Sequence, residues 1–435
     1  MIRFFIRTFG CQMNESDTER IAGILRAAGG VRAERVEEAD LIVVNTCAVR
    51  EKSEEKLFSY LGRLARLKER RPVRLGVVGC VARLRGLELL GPRHTVDFVL
   101  GPDNYGELPR LIKNPSPDKF VSTDWSTAWH ETPAGLVLRE SRTSAYVTVM
   151  EGCDNFCAYC VVPFTRGREK YRPLASILNE AADLARQGYR EVQLLGQNVN
   201  SYRDPETGEG FAHLLRQVAA VEGIVWLRFL TSHPRNFSDD IAEAMAERSN
   251  ICRQLHLPLQ SGSTAVLRRM RRKYTREMYL HIVAGLRRLM PEIALSTDII
   301  VGFPGETERD FEETLDVLRT VRFANIFSFR YSPRPLTRAS ELANDVPKPE
   351  KQRRLAAVQA LQKEIQIELN GRAVGQVQKV LCQGRGEKTP GLFTGRNEAN
   401  QVVNFSSGND CAGRFAAVRI TGFGPYSLRG EEISP

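Results

Sequence analysis

Three cysteines, Cys153, Cys157 and Cys160, stand in the run EGCDNFCAYCVVPFTRG with the spacing C-x3-C-x2-C. A tight loop can aim three thiolates at one centre. Three thiolates hold three irons of a [4Fe-4S] cubane and leave the fourth iron open to a small molecule, which a four-cysteine electron-transfer cluster cannot do. Zinc is one alternative. Structural zinc takes four ligands, and no fourth Cys or His lies within fifteen residues. Unliganded core cysteines are the other alternative.

A second set, Cys11, Cys47 and Cys80, shares no local spacing. Each closes a short β-rich run: IRFFIRTFGC at 2–11, LIVVNTC at 41–47 and RLGVVGC at 74–80. Helical apolar spacing over 15–28 and 51–71 separates these runs. Strands alternating with helices imply a parallel sheet, whose C-terminal strand ends share one edge where ligands bind. Three thiols from neighbouring strand ends can converge there. Gly10 and Gly79 allow close backbone approach to a bulky group, and Asn14 and Asn45 stand nearby as hydrogen-bonding partners. A second cubane with one open iron is one reading; three buried cysteines packed as small apolar residues is the other.

The elements that must position these thiols fall into three parts. The fold expected is α/β: an N-terminal open parallel sheet, a central partial (βα)6 barrel and a small all-β C-terminal barrel. VDFVLG at 96–101 adds a fourth strand to the first part, over 1–115. Residues 116–140 are polar and irregular, and are expected to be a linker with an edge strand at 136–138. The second strand–helix series, over 141–370, has β-like runs at 145–153, 191–199, 225–232, 254–260, 294–302 and 325–333. Six such units suggest an open barrel, with its active site at the C-terminal strand ends. There stand Gln197, Asn198, Ser232, Gln260 and Asp298, polar caps on apolar strands. Each could serve turn formation or helix capping instead. Residues 371–435 hold four short β runs between Gly, Asn and Asp, as in a small barrel.

The composition excludes several classes. At 42% hydrophobic and 26% charged, the 435 residues read as globular rather than disordered. No apolar run approaches the ~18 residues needed to cross a bilayer, and the start, MIRFFIRTFG, lacks the apolar core of a secretory signal. No membrane association and a cytoplasmic location are therefore expected. Nine cysteines, an odd number, in such a chain argue against a disulfide framework. A net charge of +10 makes a polyanionic partner plausible. The run RRMRRKYTR holds six basic residues and no acid, so Arg268, Arg269, Arg271, Arg272 and Lys273 are candidate phosphate contacts. Arg396, with Arg385, Arg414 and Arg419, is a weaker candidate. A solvated helix face would explain the same charges.

The triplet at 153, 157 and 160 resembles the signature of the radical S-adenosylmethionine (SAM) superfamily, which implies SAM chelated at the open iron. Further motifs make the resemblance more specific. GCQMNESD (10–17), NTCAVRE (45–51), GC at 79–80, LLGQNVNSY (194–202), HLPLQSGS (256–263) and STDIIVGFPGET (296–307) resemble the methylthiotransferase family across nearly the whole chain. GCQMN, CVVPFTRG and GQNVN look closest to the branch acting on N6-dimethylallyl adenosine in tRNA, rather than on threonylcarbamoyl adenosine or a ribosomal-protein aspartate. The C-terminal part resembles the TRAM domain. The family usually has YSPRPGTPA where this chain has YSPRPLTRA at 331–339.

The resemblance implies two [4Fe-4S] clusters, one held by Cys11, Cys47 and Cys80 and one by Cys153, Cys157 and Cys160. It implies two SAM molecules per turnover, one donating a methyl group to sulfur and one cleaved to a radical that activates carbon 2 of the adenine. The expected partners are a tRNA anticodon stem-loop and a flavodoxin-type or similar reductant, and the chain is expected to be a monomer. A non-catalytic iron–sulfur RNA-binding sensor is the contrasting class, predicting clusters without SAM cleavage.

Overall fold

The computed structural model describes residues 1–433 apart from 50, 92–94, 114–117 and 388, and leaves the side chain of residue 134 undescribed. The first part runs β1 (Arg3–Phe9), α1 (Gln12–Ala27), β2 (Val31–Arg32), β3 (Leu41–Thr46), α2 (Glu51–Arg70), β4 (Arg74–Val78), α3 (Cys80–Arg85), β5 (Phe98–Leu100), α4 (Leu108–Lys113) and β6 (Phe120–Ser122). The sheet order is β2-β1-β3-β4-β5-β6, with every pairing parallel. β3 reads as an unbroken apolar run because both its faces are covered. Ile42 and Val44 pack with Leu57 and Leu61 of α2, while Leu41 and Val43 pack with Ile21 and Leu25 of α1.

The stretch 116–140 is not the linker expected. β6 lies within it and extends the sheet. Nor do residues 136–138 form an edge strand: Leu136 ends a 3-10 turn (Ala134–Leu136) laid against α1. Gly23 permits this, since a Cβ there would fall 1.1 Å from the Leu136 carbonyl oxygen. The Leu138 amide then donates to the Glu19 carbonyl at 3.0 Å. Polar composition hid this strap because its seat rests on backbone contacts, with Leu138 packed against the core beside α1.

The central part runs β7 (Ser144–Thr148), β8 (Met150–Glu151), α5 (Val162–Thr165), β9 (Lys170–Tyr171), α6 (Leu174–Arg186), β10 (Glu191–Leu195), α7 (Phe211–Ala219), β11 (Trp226–Phe229), α8 (Asp239–Glu247), β12 (Gln254–His256), α9 (Thr264–Arg269), α10 (Arg276–Leu289), β13 (Ala294–Val301), α11 (Glu308–Val321), β14 (Asn325–Arg330) and α12 (Lys348–Gly371). Parallel sheets β7-β10-β11 and β12-β13-β14 meet through a single bridge, Leu227 to Ile251. The result is an open six-stranded barrel with one continuous apolar core, from Ala145 to Val358, beneath the helices.

The last part is a closed barrel of β15 (Val377–Arg385), β16 (Phe393–Asn397), β17 (Val402–Ser406), β18 (Phe415–Phe423) and β19 (Ser427–Glu432). The sequence pattern missed β19, SLRGEE, which carries one inward apolar residue, Leu428, and charges outward. This barrel docks where the central strands begin. Trp226 meets Phe415 edge-on at 4.7 Å, and fully buried Arg228 pairs with Glu191 at 2.6 Å. Arg228 also donates to the carbonyls of Asn397 and Glu398 at 2.8 and 2.6 Å. Among the described residues no helix is long and apolar enough to cross a membrane.

Candidate functional site

Register explains how the scattered cysteines meet. Phe9 lies opposite Thr46, and Asn45 opposite Val78, so β1, β3 and β4 finish level. Cys11, Cys47 and Cys80 each follow within two residues of those ends. The chain leaves β1 toward β2 on one side and has β3 on the other. The ligand crevice of an open α/β sheet lies at such a switch point. Cys47 hydrogen-bonds Cys11 and holds its thiol down to about 6, against burial. Hydrogen bonding to Cys11 and burial push Cys47 up, and burial pushes Cys80 up.

The surroundings are built for close approach. A Cβ on Gly10 would fall 2.9 Å from Cys47 Cβ; one on Gly79, at φ +90°, would fall 2.4 Å from Asn45 Oδ1. Asn14 and Asn45 are fully buried and lock to each other through Asn14 Nδ2 to Asn45 Oδ1 at 3.0 Å. The Cys11 thiol donates to Asn14 Oδ1 at 3.3 Å.

The second triad sits on the loop after β8. Gln197 Oε1, at the end of β10, accepts from the Gly152 amide at 2.6 Å and so fixes where that loop starts. The Cys153 amide donates to the Gly167 carbonyl at 3.1 Å, closing the loop on itself. Burial pushes Cys153 up to about 11 and Cys160 higher still. His233 Nδ1 accepts from the Arg235 amide at 3.1 Å, which leaves the proton on Nε2, 4.0 Å from Cys157 Sγ. Burial, then Arg272, lowers that imidazole to about 2, so it is neutral.

The remaining strand-end candidates form two groups with no hydrogen bond between them among the described residues. Asn198 Nδ2 donates to Glu169 and Asn236, while Asn198 Oδ1 and Ser232 Oγ are buried with no partner. Buried polar atoms left so are costly. They suit a polar ligand such as SAM, which would supply the missing bonds. Gln260, at φ +74°, is bridged to β13 through its amide and the Asp298 carbonyl at 2.8 Å. Asp298 Oδ2 lies 3.6 Å from His256 Nε2.

Each triad offers three free thiols, the donor set that a cubane with one open iron would take. Among the described residues no three His, Cys, Asp or Glu side chains sit close enough to hold one metal ion. A cubane spreads its cysteine sulfurs wider than a single ion does. Thiols pushed up by burial ligate as anions only where a cation compensates, as cluster irons would.

Arg166, which the sequence reading passed over, joins the two triads. It ends α5, six residues after Cys160, and its Nε donates to Cys80 Sγ at 3.2 Å. Asp17 of α1 pairs with the same guanidinium. Further ion pairs tie the parts together: Arg20 with Glu151 at 3.0 Å, Lys170 with Asp103, and Arg334 with Glu54 at 3.6 Å. The residue was on view in CVVPFTRG, but nothing local marks a surface-type residue as 3% exposed.

The basic run is corrected in part. Arg272 is 4% exposed and cannot meet phosphate. Its Nη1 donates to Cys157 Sγ at 3.4 Å. Arg269 is engaged by the Gly305 carbonyl and Asp310. Arg268, Arg271 and Lys273 are exposed. Arg396 folds back on the Asn400 carbonyl at 2.8 Å in a half-buried position, so it too is no free phosphate contact. Of the other cysteines, Cys252 lies under the docked barrel, and Cys382 and Cys411 lie 3.0 Å apart inside it.

Comparison with known proteins agrees with this layout. Residues 3–101 match the model described as Uncharacterized protein family UPF0004, 147–318 that of the Radical SAM superfamily, and 371–433 that of the TRAM domain. The chain is 46% identical over 432 residues to tRNA-2-methylthio-N(6)-dimethylallyladenosine synthase of Chlorobium luteolum, covering 98% of this chain and 96% of that protein. It is 44% identical over 437 residues to the protein of the same name from Solibacter usitatus, covering 99% and 98%. In fold it is similar to the radical S-adenosylmethionine methyltransferase TsrM from Kitasatospora setae, with TM-score 0.53, 15% identity and coverage of 91% and 77%. Related along nearly its whole length to these proteins, the chain belongs to the radical-SAM methylthiotransferase family whose members bear the name tRNA-2-methylthio-N(6)-dimethylallyladenosine synthase.

Proposed function

We propose that this chain installs a methylthio group on carbon 2 of N6-dimethylallyl adenosine beside the tRNA anticodon. The observation that carries the reading is the pair of cysteine triads joined by Arg166, within a fold whose relatives bear that name. Cys153, Cys157 and Cys160 would hold one [4Fe-4S] cluster with SAM, and Cys11, Cys47 and Cys80 a second. When bound, these groups supply one-electron cleavage of SAM and a sulfur site, chemistry that an inert aromatic C–H requires and side chains lack.

The chain's own residues bind, orient and shield. Asn198 and Ser232 offer unpaired oxygens to SAM, with Gln260 and Asp298 on the facing strands. Gln197 sets the start of the cysteine loop. Arg166, fixed by Asp17, holds that loop against the second triad. Apolar packing beneath the strand ends keeps water from a reactive species. Two SAM molecules are used per turnover, electrons come from a low-potential donor of flavodoxin type, and the chain works as a cytoplasmic monomer.

The test is anaerobic reconstitution, then incubation with SAM, reductant and a prenylated anticodon stem-loop, read by mass spectrometry of the RNA. A methylthio mass gain on the adenosine is the expected result. SAM cleavage without that gain would move the substrate to threonylcarbamoyl adenosine or a ribosomal aspartate. Neither product, at iron content matching two clusters, would overturn the enzymatic reading.

A further inference from the structure

Arg272 is a buried cation without a carboxylate. Its Nη2 donates to the Pro258 carbonyl at 2.9 Å, its Nε to Tyr274 Oη at 3.0 Å and its Nη1 to Cys157 Sγ at 3.4 Å. Tyr159, Tyr274, Tyr279, His233, Cys157 and Cys160 are the titratable groups around it. Among the described residues it forms no ion pair. Arg166, beside the other triad, is neutralised by Asp17.

The backbone supports a dedicated orientation. Arg271 and Lys273 both take left-handed φ, +58° and +57°, and Arg272 between them is turned inward. Non-glycine residues held there are strained, and such strain persists where surrounding structure enforces it. A buried guanidinium with only neutral partners is costly unless an anion faces it. The group that faces it is the sulfur of Cys157, anionic when it ligates iron.

We propose that Arg272 is the counter-cation of the Cys153–Cys157–Cys160 centre and raises its reduction potential. The inference rests on the reading that this triad holds a cluster. Reduction adds negative charge to the cluster. A fixed cation hydrogen-bonded to a ligand sulfur stabilises the reduced form, the more so in a low-dielectric site. Arg272 is thus a positioning residue for charge.

The experiment is an EPR-monitored redox titration of the reconstituted full-length chain carrying Cys11→Ala, Cys47→Ala and Cys80→Ala, so that one cluster contributes. Arg272→Gln should lower the midpoint enough to cut the reduced-to-oxidised ratio at least tenfold at fixed potential, about 59 mV for one electron. Arg272→Lys should fall between it and the parent. Arg288→Gln, an exposed arginine of α10, should leave the midpoint unchanged. An unchanged midpoint in iron-loaded Arg272→Gln overturns the proposal. Should that variant bind no iron, pulsed EPR of the [15N]arginine-labelled parent decides: a weak nitrogen coupling to the reduced cluster supports the contact, and none overturns it. A parent that binds no iron would instead sink the cluster reading itself.

Discussion

Arg166 Nε donates to Cys80 Sγ at 3.2 Å, from a loop of the central barrel to a cysteine of the N-terminal sheet. The same guanidinium pairs with Asp17, and both side chains are at most 3% exposed. Removing one member of a buried pair leaves the other charge uncompensated, at about 3–5 kcal/mol. Arg166→Ala should therefore lower the thermal midpoint and the iron retained by the N-terminal triad, measured on a variant lacking the barrel cysteines. Asp17→Asn, which leaves Arg166 buried without its carboxylate, should cost about as much. Equal iron content and midpoint in Arg166→Ala would show the contact to be incidental.

The two triads should separate by product. Cys157→Ala should abolish SAM cleavage, followed as 5′-deoxyadenosine. Cys47→Ala should keep cleavage and abolish methylthio transfer. Methylthio product from Cys47→Ala would end the claim that Cys11, Cys47 and Cys80 hold the sulfur-bearing centre.

Arg268, Arg271 and Lys273 remain as exposed cations of the basic run. Their combined change to alanine should weaken stem-loop binding, with the loss shrinking at high salt. If all three meet phosphates, the slope of log affinity on log salt should flatten by about 2, at ~0.7 per contact with single-stranded RNA. An unchanged slope would place the RNA elsewhere.

Glu19 gives a pH signature. Burial pushes its carboxyl up from 4.5 to about 7, and its Oε2 has no partner. The folded chain therefore favours the protonated form. It carries no penalty below pH 4.5, and loses stability as pH rises through 7. The full cost is about 3 kcal/mol, at ~1.4 per pKa unit. Glu19→Gln should match the parent at pH 4.5 and exceed it at pH 8 in denaturant midpoint. A constant difference across that range would refute the assignment.

Leu336 stands where the family has glycine, with φ +66° and 64% exposure. A left-handed leucine costs about 1–2 kcal/mol, and its exposed side chain returns little. Glycine gives back roughly half of that as unfolded-state entropy. Leu336→Gly should thus stabilise by about 0.5–1 kcal/mol, read as a higher denaturation midpoint. A lower midpoint would mean that the loop needs the side chain.

How much of this was legible in the sequence depends on where the signal lay. β3 and β4 were readable because runs buried on both faces leave an apolar mark, β1 because its buried residues alternate, and each run ended at a cysteine. Barrel strands β10 and β11 were readable for the reason that served β3, and β13 because its buried residues alternate. The strap at 134–138 was not, because its seat depends on a backbone bond to Glu19 and on the missing Cβ of Gly23, with Leu138 as its apolar anchor. β19 was hidden by its outward charges. Arg272 looked like surface because its neighbours are surface, and only the left-handed residues on either side turn it inward. No local pattern reports such a turn. Arg166 and Asp17 are 149 positions apart and meet only through the domain arrangement.

The docking of the small β-barrel has a consequence for measurement of distance. It grips the end of the central barrel where strands begin, through Arg228, Trp226 and Phe415, while the thiols lie where strands finish. Eight-residue β13 sets the height between those ends at about 26 Å, at ~3.3 Å per residue. An RNA touched at both ends would span far more than one nucleotide, so the reacting base and the outer grip would fall on separate stretches of one molecule. On the proposed reading, that offset would let the chain select an RNA by its reach as well as by its base.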